Sequence, residues 1–417
     1  MRRGDGEAKA NADDAQPKLL RLRLKFATGF TAAARLHSRR PRIDVRIDRA
    51  PQHATRNSME GTLARCARWF FAPLAAALAV LCALLCVVWA LNVIWVVPLA
   101  AIYSWAYGPA RNKLEGAVVL VTGGSSGMGK EVAKLCAARG ARVVIAARNK
   151  DKLAAAKAEI EAAAAPRPAA VETVSVDLTK SFEEVEAALS KNGTVARQEV
   201  EFAILCAGES TPQPFEALGG RDWEQMLRLN LLGCMAAARA VLPAMKERRR
   251  GHIAFISSMG GQVGVYGFSA YSASKFALRG AFEALRMELK PHGVGVSLVF
   301  PPDTDTPCFA KENEIKPIEC KRISGKVGLY SAEDVARGIV NGVESATSLV
   351  VVGDGNVDGW MLNHMTVGLL PSDSWVQLFV GLFLLPLFRL ISIANTWYFD
   401  RICAEEAEKR RSSLAAQ

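Results

Sequence analysis

The sequence lacks the residue pairs that build metal and disulfide sites. Its 9 cysteines are scattered over 417 residues, and its 5 histidines do not stand beside them at metal-ligand spacing. There is no Cys-x-x-Cys pair, and Cys82, Cys86, Cys206 and Cys234 lie inside apolar runs. This usage is typical of reduced, buried thiols facing the cytosol and argues against a zinc site. We therefore predict no metal ligands.

Positive charge is scarce on the main body of the chain, although the whole sequence carries a net charge of +11. Residues 1–69 hold 16 Lys and Arg against 7 Asp and Glu, so most of the excess lies there. A nucleic-acid binder needs a basic surface on its folded domain, so we expect no nucleic acid as a partner. The polar segment 1–69 is predicted to be a basic, disordered extension. Translation from Met59 is an open alternative that would remove most of it.

Charged residues are absent from 70–103. A membrane span needs about 20 apolar residues, so residues 70–107 are predicted to be an N-terminal membrane anchor. A second apolar region, 357–398, contains Pro386 and is predicted to be membrane-associated. The sequence leaves open whether it is a span, a re-entrant hairpin or a surface helix. A polar tail, 399–417, follows.

Apolar strand-like runs alternate with helical patterns between these two segments. Buried-type strands that alternate with helices specify a parallel sheet covered on both faces. The fold class predicted for residues 114–352 is α/β, a Rossmann-type doubly wound sheet of seven parallel strands, flanked by N- and C-terminal membrane segments. The predicted strands are 117–121, 142–147, 171–176, 202–206, 252–257, 294–300 and 348–352, and the predicted helices are 130–139, 150–165, 182–191, 222–249, 272–290 and 332–343.

Three spaced glycines follow the first predicted strand. Gly123, Gly127 and Gly129 stand in Thr-Gly-Gly-Ser-Ser-Gly-Met-Gly, one residue wider than the usual G-x-G-x-x-G spacing. A strand, a tight turn and a helix N-terminus together form the usual site for a pyrophosphate. The first glycine permits the turn, the second lets the backbone approach the phosphates, and the third lets helix and strand pack closely. The loop, with Ser125 and Ser126, is predicted to bind a dinucleotide.

The end of the second predicted strand carries no carboxylate, which an NAD-selective fold would place there for the ribose hydroxyls. Arg148 stands at this point instead and can pair with a 2′-phosphate, so NADPH is the predicted cofactor. The alternative is a solvated arginine at a helix entry. Asp177 is predicted to accept a hydrogen bond from the adenine amino group, or else to cap the helix near Ser181. Ala207 and Gly208, at the end of the fourth strand, are expected to pass close to the cofactor.

A tyrosine and a lysine spaced four residues apart, Tyr271 and Lys275, share one helical face, and Ser258 stands at the end of a preceding strand. A ketone that accepts hydride develops negative charge on oxygen and needs a proton. Lys275 and a positive nicotinamide ring are expected to lower the pKa of the phenol. Ser258 is expected to orient the carbonyl oxygen. Asn230 either holds a water that links Lys275 to solvent or is a satisfied core residue.

These motifs together resemble the short-chain dehydrogenase/reductase family over roughly residues 114–352. The resemblance implies that Asn230, Ser258, Tyr271 and Lys275 are the catalytic set and that Lys275 hydrogen-bonds the nicotinamide ribose. The chain departs from the family pattern at two places. Leu205-Cys206 stands where the family has Asn-Asn, and Pro301-Pro302 stands where it has Pro-Gly.

The second departure narrows the resemblance. Residues 300–307, Phe-Pro-Pro-Asp-Thr-Asp-Thr-Pro, are similar to a membrane-bound branch that reduces a long-chain 3-keto sphingoid base with NADPH. The resemblance implies that Pro301 lies at the cofactor and that Thr304 or Thr306 contacts the nicotinamide carboxamide. It also implies a long-chain keto-lipid substrate, contact with the bilayer, and a homodimer or homotetramer. Residues 309–330 are predicted to form a lid, and the side chains expected to line an acyl-chain site, or simply to pack, are Val263, Tyr266, Phe268 and Phe309.

Two other functions stay open. One is a membrane-anchored reductase of the same family that acts on steroids, retinoids or 3-ketoacyl substrates, with the same catalytic residues. The other is a nucleotide-binding membrane scaffold without turnover. The resemblance implies the endoplasmic reticulum membrane, and a catalytic domain facing the cytosol is expected from the NADPH supply. The positive-inside rule with a single span would instead place the domain in the lumen.

Overall fold

The computed structural model describes residues 112–165, 170–196, 199–325, 328–353 and 375–415, with isolated positions at 79–80, 83–84, 86–87, 359 and 362. The predicted extension over 1–69 and most of the predicted anchor over 70–107 lie outside these residues. The chain divides into two units, Met1–Leu85 and Cys86–Gln417. The fold described below belongs to the second unit.

Nine strands and eleven α-helices are described in the second unit. The strands are β1 Val118–Thr122, β2 Arg142–Ala147, β3 Val171–Ser175, β4 Phe202–Leu205, β5 Gly251–Ile256, β6 Val294–Phe300, β7 Thr304–Asp305, β8 Tyr330–Ser331 and β9 Leu349–Val351. The helices are α1 Gly127–Ala138, α2 Lys150–Ala163, α3 Phe182–Leu189, α4 Gly193–Ala196, α5 Gly220–Leu227, α6 Cys234–Arg248, α7 Ser269–Leu289, α8 Pro307–Ile315, α9 Ile318–Ser324, α10 Ala332–Glu344 and α11 Trp375–Ala415.

Seven of the strands form one sheet in the order β3-β2-β1-β4-β5-β6-β9, and every neighbouring pair is parallel. The chain crosses from one side of β1 to the other between β3 and β4, which opens a crevice at the carboxyl ends of these strands. This sheet confirms the predicted Rossmann-type fold class. β7 and β8 pair separately, also in parallel.

Both faces of the sheet are buried. Each strand contributes to both apolar clusters, because its successive side chains point to opposite sides of the sheet. In β1, Val118 and Leu120 join one apolar cluster, which includes residues of α6 and α7. Val119 and Val121 join the other, which includes residues of α1, α2 and α10. Burial on both faces explains why the strands read as continuous apolar runs in the sequence.

The helix predicted over 222–249 has three parts. A π-helical turn, Arg228–Gly233, separates α5 from α6 and brings Asn230 into the buried interior. Among the described residues, Gly220–Arg248 is the one helix long and apolar enough to cross a membrane. Half of its apolar window is buried inside the fold, because α6 is a core helix of the sheet domain.

Two short helices, α8 and α9, begin at the end of the 300–307 motif and overlap the segment 309–330 that is expected to be a lid. Thr306 caps α8 by accepting a hydrogen bond from the Phe309 N–H at 3.2 Å, and Pro307 takes the first helical position. A proline is favoured there because its missing N–H would have no partner within the helix. Further on, α11 runs as one helix from Trp375 to Ala415.

Candidate active site

The glycine loop between β1 and α1 is packed too tightly for side chains. Gly123 has a φ of +69°, and a Cβ there would lie 3.0 Å from the backbone of Ala207. A Cβ on Gly129 would lie 2.4 Å from the carbonyl oxygen of Gly123, which no real structure allows. The loop is therefore held against the start of α1, whose first turn, Gly-Met-Gly-Lys, carries no acidic side chain. A helix N-terminus of this kind favours a phosphate.

Gly127 brings this loop to the opposite wall of the crevice. Its φ is +52°, and a Cβ there would approach the Thr306 methyl carbon to 3.1 Å. Ser125 and Ser126 complete the loop, and Ser126 immediately precedes α1. A cradle built of glycine backbone beside a helix N-terminus fits the pyrophosphate of a dinucleotide. The residues present therefore fit the cofactor expected from the sequence.

Arg148 and Asp177 follow the ends of neighbouring strands, β2 and β3. Burial opposes ionisation of Asp177, but hydrogen bonds from the backbone N–H and hydroxyl of Thr179 and the charge of Arg148 lower its pKa overall. Asp177 Oδ1 accepts these bonds at 3.0 and 2.8 Å. The alternative that Asp177 caps the next helix is wrong, because Ser181 is the cap of α3. Arg148 is exposed beside this carboxylate.

The end of β4 leads directly to the catalytic groups. Ala207 N–H donates to Thr122 Oγ1 at 3.2 Å, which ties this segment to β1. A Cβ on Gly208 would lie 3.1 Å from Asn230 Oδ1 and 3.2 Å from Lys275 Nζ. The absence of a side chain at Gly208 thus leaves room for the side chains of Asn230 and Lys275.

Asn230 is buried and fixes the loop that follows Gly208. Its Oδ1 accepts from the Glu209 N–H at 2.9 Å, and its Nδ2 donates to the Glu209 carbonyl at 2.9 Å. Nδ2 also donates to Ser274 Oγ at 3.0 Å, on the helix that carries Tyr271. The side chain is therefore satisfied by protein groups, as one of the two sequence alternatives held. It joins the loop after β4 to α7.

Ser258, Tyr271 and Lys275 meet where β5 ends against α7. A hydrogen bond from Ser258 reaches the Tyr271 phenol, and Ser258 Oγ also accepts from the Gly260 N–H at 3.1 Å. Lys275 Nζ donates to the Ile256 carbonyl at 2.9 Å and lies 5.8 Å from the centroid of the Tyr271 ring. The lysine is 4 % exposed, so its ammonium is held in a fixed place. The geometry presents one hydroxyl and one phenol to the crevice.

Burial is the largest influence on the electrostatics of Tyr271 and Lys275. Burial raises the pKa of Tyr271, the hydrogen bond from Ser258 lowers it, and the charges of Glu312 and Asp303 raise it further. Burial lowers the pKa of Lys275. The expectation that Lys275 and a bound nicotinamide together lower the pKa of the phenol stays a prediction. A phenol is protonated at neutral pH with or without this shift, so Tyr271 has a proton to donate.

The predicted nicotinamide contacts stand on the segment after β6. Pro301 accepts from the Met259 N–H at 3.0 Å, which joins this segment to the loop after Ser258. Thr304 is buried, and its hydroxyl donates to the Pro302 carbonyl at 2.8 Å. Thr306 uses its hydroxyl oxygen to cap α8. Both threonines line the crevice, and their contact with a carboxamide stays a prediction.

A cavity of about 640 Å³ opens over the catalytic groups. Its lining contains Ser258, Tyr271 and Lys275 together with many apolar side chains. The four side chains expected from the sequence to form acyl-chain walls all line it: Val263, Tyr266, Phe268 and Phe309. Cavities of this size are typical of small-molecule sites. The volume and the apolar lining suit a long hydrocarbon chain.

Part of the cavity wall was missed in the sequence because it comes from α11. Tyr398, Phe399, Asp400 and Cys403 line the cavity from this C-terminal helix. The sequence predicts a membrane-associated segment and a polar tail at these positions. No sequence signal links them to the catalytic residues, which lie more than 100 positions away. The folded structure places them on the same cavity as Tyr271.

Ion pairs fasten α11 to α9. Arg322 pairs with Glu405 at 3.0 Å and with Glu406 at 2.7 Å. Glu319, which is fully buried, pairs with Arg410, and Arg410 also hydrogen-bonds Tyr266 of the cavity wall. A buried carboxylate needs such a partner, because an unpaired buried charge is strongly unfavourable. These contacts hold the C-terminal helix against the lid segment.

Comparisons with known proteins identify the family of the chain. The family model described as short chain dehydrogenase matches residues 117–317. This match and the relatives described next show that the chain belongs to the short-chain dehydrogenase family. The resemblance drawn from the sequence motifs is thereby confirmed.

Within that family the chain is similar to proteins of one named activity. It is 41% identical over 294 residues to the 3-ketodihydrosphingosine reductase of Bos taurus, covering 70% of this chain and 87% of that protein. It is 40% identical over 308 residues to the 3-dehydrosphinganine reductase of Danio rerio, covering 74% and 92%. A solved short-chain dehydrogenase from Sphingobium yanoikuyae in complex with NADPH is 25% identical, covers 56% of this chain and 87% of that one, and has a TM-score of 0.49.

Proposed function

We propose that this protein reduces the ketone of 3-ketodihydrosphingosine (3-ketosphinganine) to the alcohol of sphinganine with NADPH, in sphingolipid synthesis. The observation that carries the proposal is the placement of Ser258, Tyr271 and Lys275 on a large, mostly apolar cavity. The named activity of relatives about 40% identical supports the substrate class. The alternatives on steroids, retinoids or 3-ketoacyl compounds share the catalytic residues and differ only in what the cavity accepts.

The chain's own residues divide the chemistry between them. Bound NADPH supplies the hydride. Ser258 donates a hydrogen bond to the ketone oxygen and orients it, and Tyr271 gives that oxygen its proton. A phenol is protonated at neutral pH, so Tyr271 carries the proton that the ketone oxygen takes up as negative charge develops on it. The buried Lys275 is positioned to hold the cofactor ribose and to stabilise the phenolate left behind.

Arg148 is proposed to select NADPH over NADH. A guanidinium binds a phosphate through two charged hydrogen bonds, and the strand end offers no carboxylate for an unphosphorylated ribose. Replacing Arg148 by Ala is expected to raise the KM for NADPH about tenfold or more and to leave that for NADH nearly unchanged. Steady-state kinetics with both cofactors measures the ratio. Lys152→Ala, an exposed cation on α2, is the matched control, and an unchanged ratio in Arg148→Ala would remove this role.

The contacts of α11 with α9 are expected to matter for substrate more than for cofactor. Arg410→Ala leaves the buried Glu319 without its partner and removes one of the ion pairs that hold α11, the helix that supplies Tyr398 and Phe399 to the cavity. We expect the KM for the ketone to rise about threefold to tenfold, with the KM for NADPH little changed. The neighbouring exposed Arg411→Ala is the control. Equal rises in both values would contradict this division of roles.

Membrane attachment is proposed for both ends of the reductase domain. Three described residues of the predicted anchor, Val80, Leu84 and Val87, are helical and exposed, which suits a lipid environment. A long-chain ketone partitions into the bilayer by about 0.8 kcal/mol per CH₂, so an enzyme at the surface meets its substrate there. We assign the protein to the endoplasmic reticulum membrane with the reductase domain facing the cytosol.

A homodimer or homotetramer is also proposed. Large apolar side chains are exposed on the π-helical turn and on α7, namely Leu232, Phe276 and Met287. We propose that these three side chains contribute to a self-association surface. Light scattering of the detergent-solubilised protein reports its mass.

A panel of ketones tests the proposed substrate. NADPH oxidation by the solubilised protein is followed with 3-ketosphinganine, a 3-ketosteroid, retinal and a 3-ketoacyl thioester. The proposal expects turnover of 3-ketosphinganine to exceed that of the other three. Preferential turnover of another ketone would keep the reaction class and replace the substrate, and binding of NADPH without any turnover would favour the scaffold alternative.

A further inference from the structure

The catalytic cavity carries an excess of negative charge. Its described lining contains four carboxylates, which are Glu209, Asp303, Glu312 and Asp400, and one ammonium, which is Lys275. Lys275 donates a hydrogen bond to the Ile256 carbonyl, and its ammonium lies 5.8 Å from the centroid of the Tyr271 ring. Asp400 is exposed, but the Glu312 side chain is only 11 % exposed, and a carboxylate withdrawn from water needs a cation.

Two of these carboxylates share one buried lysine. Lys316 Nζ lies 2.7 Å from Glu312 Oε1 and 3.7 Å from Asp303 Oδ2, and its side chain is 1 % exposed. The ammonium also faces the rings of Phe309 and Phe268, at 4.7 and 5.7 Å from their centroids. One positive charge therefore stands between two negative ones. With both carboxylates ionised, the three groups carry a net charge of −1, and both carboxylates line the cavity.

Both carboxylates act on the reacting group. The charges of Glu312 and Asp303 raise the pKa of Tyr271, so their fields reach the phenol that meets the ketone oxygen. Glu312 Oε2 accepts a hydrogen bond from Ser210, and Asp303 stands between the buried Pro302 and Thr304, so both are anchored. Burial and the neighbouring Glu312 raise the pKa of Asp303, and Lys316 opposes this. A further cation would relieve the repulsion between the two carboxylates.

We infer that Glu312 and Asp303 bind the ammonium group of the substrate and thereby select an amino-ketone over a neutral ketone. The inference rests on the proposed function, in which the amine is bonded to the carbon next to the ketone. A ketone oxygen held by Tyr271 and Ser258 places that amine within a few ångströms of the phenol. Steroids and retinal leave the carboxylates uncompensated, and a negatively charged acyl thioester is repelled.

The test compares two substrates that differ only in the amine. The values of kcat/KM are measured with 3-ketosphinganine and with 1-hydroxyoctadecan-3-one, for the full-length protein and for its Glu312→Gln and Asp303→Asn variants. The wild-type protein is expected to favour the amine about tenfold to a hundredfold. Glu312→Gln is expected to remove most of that preference by lowering only the value for the amino-ketone. Glu314→Gln, on the exposed side of α8, makes the same charge change and is expected to keep the preference.

The ratio of the two values separates selection from damage to the fold, because a misfolded variant loses both activities together. A titration of NADPH by its fluorescence checks that each variant binds cofactor. A wild-type protein that treats the two ketones alike overturns the inference while leaving the proposed reaction intact. An equal fall with both ketones in Glu312→Gln, with NADPH binding retained, overturns it as well. Failure to reduce either ketone removes the proposed function, and this inference with it.

Discussion

Replacing Tyr271 by phenylalanine is expected to lower kcat for NADPH-dependent ketone reduction about 10²- to 10⁴-fold, the usual contribution of a positioned proton donor. The variant removes one oxygen and keeps the ring that packs against Phe268, 5.2 Å away between centroids. It also leaves Lys275 bonded to the Ile256 carbonyl and the glycine loop untouched. NADPH affinity is therefore expected to stay within about twofold, because the loss falls on the transition state.

Stopped-flow measurement of NADPH consumption, with cofactor binding followed by fluorescence, separates these two quantities. Tyr330→Phe is the matched control, since Tyr330 packs in the apolar cluster on one face of the sheet. A Tyr271→Phe variant with wild-type turnover would show that the proton comes from another group. A loss of cofactor binding equal to the loss of turnover would make the phenol a binding group instead.

Replacing Gly129 by alanine is expected to disable the cofactor loop. The new methyl would lie 2.4 Å from the Gly123 carbonyl oxygen, and that oxygen belongs to backbone that cannot rotate away. Either α1 or the loop after β1 must move, and overpacking of this kind costs about 1–3 kcal/mol. We expect NADPH affinity to fall at least about tenfold and the thermal midpoint to fall by several degrees.

Gly280→Ala provides the comparison, because a Cβ there meets open space on the exposed face of α7. Alanine in a helix interior is more favourable than glycine by about 1 kcal/mol, so this variant is expected to be slightly more stable. Calorimetry with and without NADPH measures both effects. If Gly129→Ala bound NADPH as the wild-type protein does, the loop would not be the pyrophosphate site.

The sheet could be predicted from the sequence because its strands are buried on both faces. Such strands are unbroken apolar runs, and the bounds predicted for the second and sixth strands are those of β2 and β6. The glycine spacing could be interpreted for a similar reason, since close backbone approach leaves only one residue type. Ser258, Tyr271 and Lys275 could be chosen because each stands at a strand end or on one helix face. Their catalytic roles stay predictions.

Three features of the site could not be predicted from the sequence, because they depend on the folded structure and mostly on contacts between distant segments. The π-helical turn that buries Asn230 leaves no mark in an apolar helix pattern. The wall formed by α11 needs ion pairs between residues more than 80 positions apart, such as Arg322 and Glu406. The raised pKa of Tyr271 comes from burial and from carboxylates on later elements. The sequence shows neither this burial nor these carboxylates, and the predicted effect of Lys275 with a bound nicotinamide stays a prediction.

The most direct test of the proposed function is the product itself. Purified, detergent-solubilised protein is incubated with 3-ketosphinganine and NADPH, and sphinganine is quantified by mass spectrometry beside the cofactor consumed. We expect one sphinganine for each NADPH, and a much slower reaction with NADH. NADPH consumed without sphinganine, or no product from a protein that binds NADPH, would contradict the proposed function.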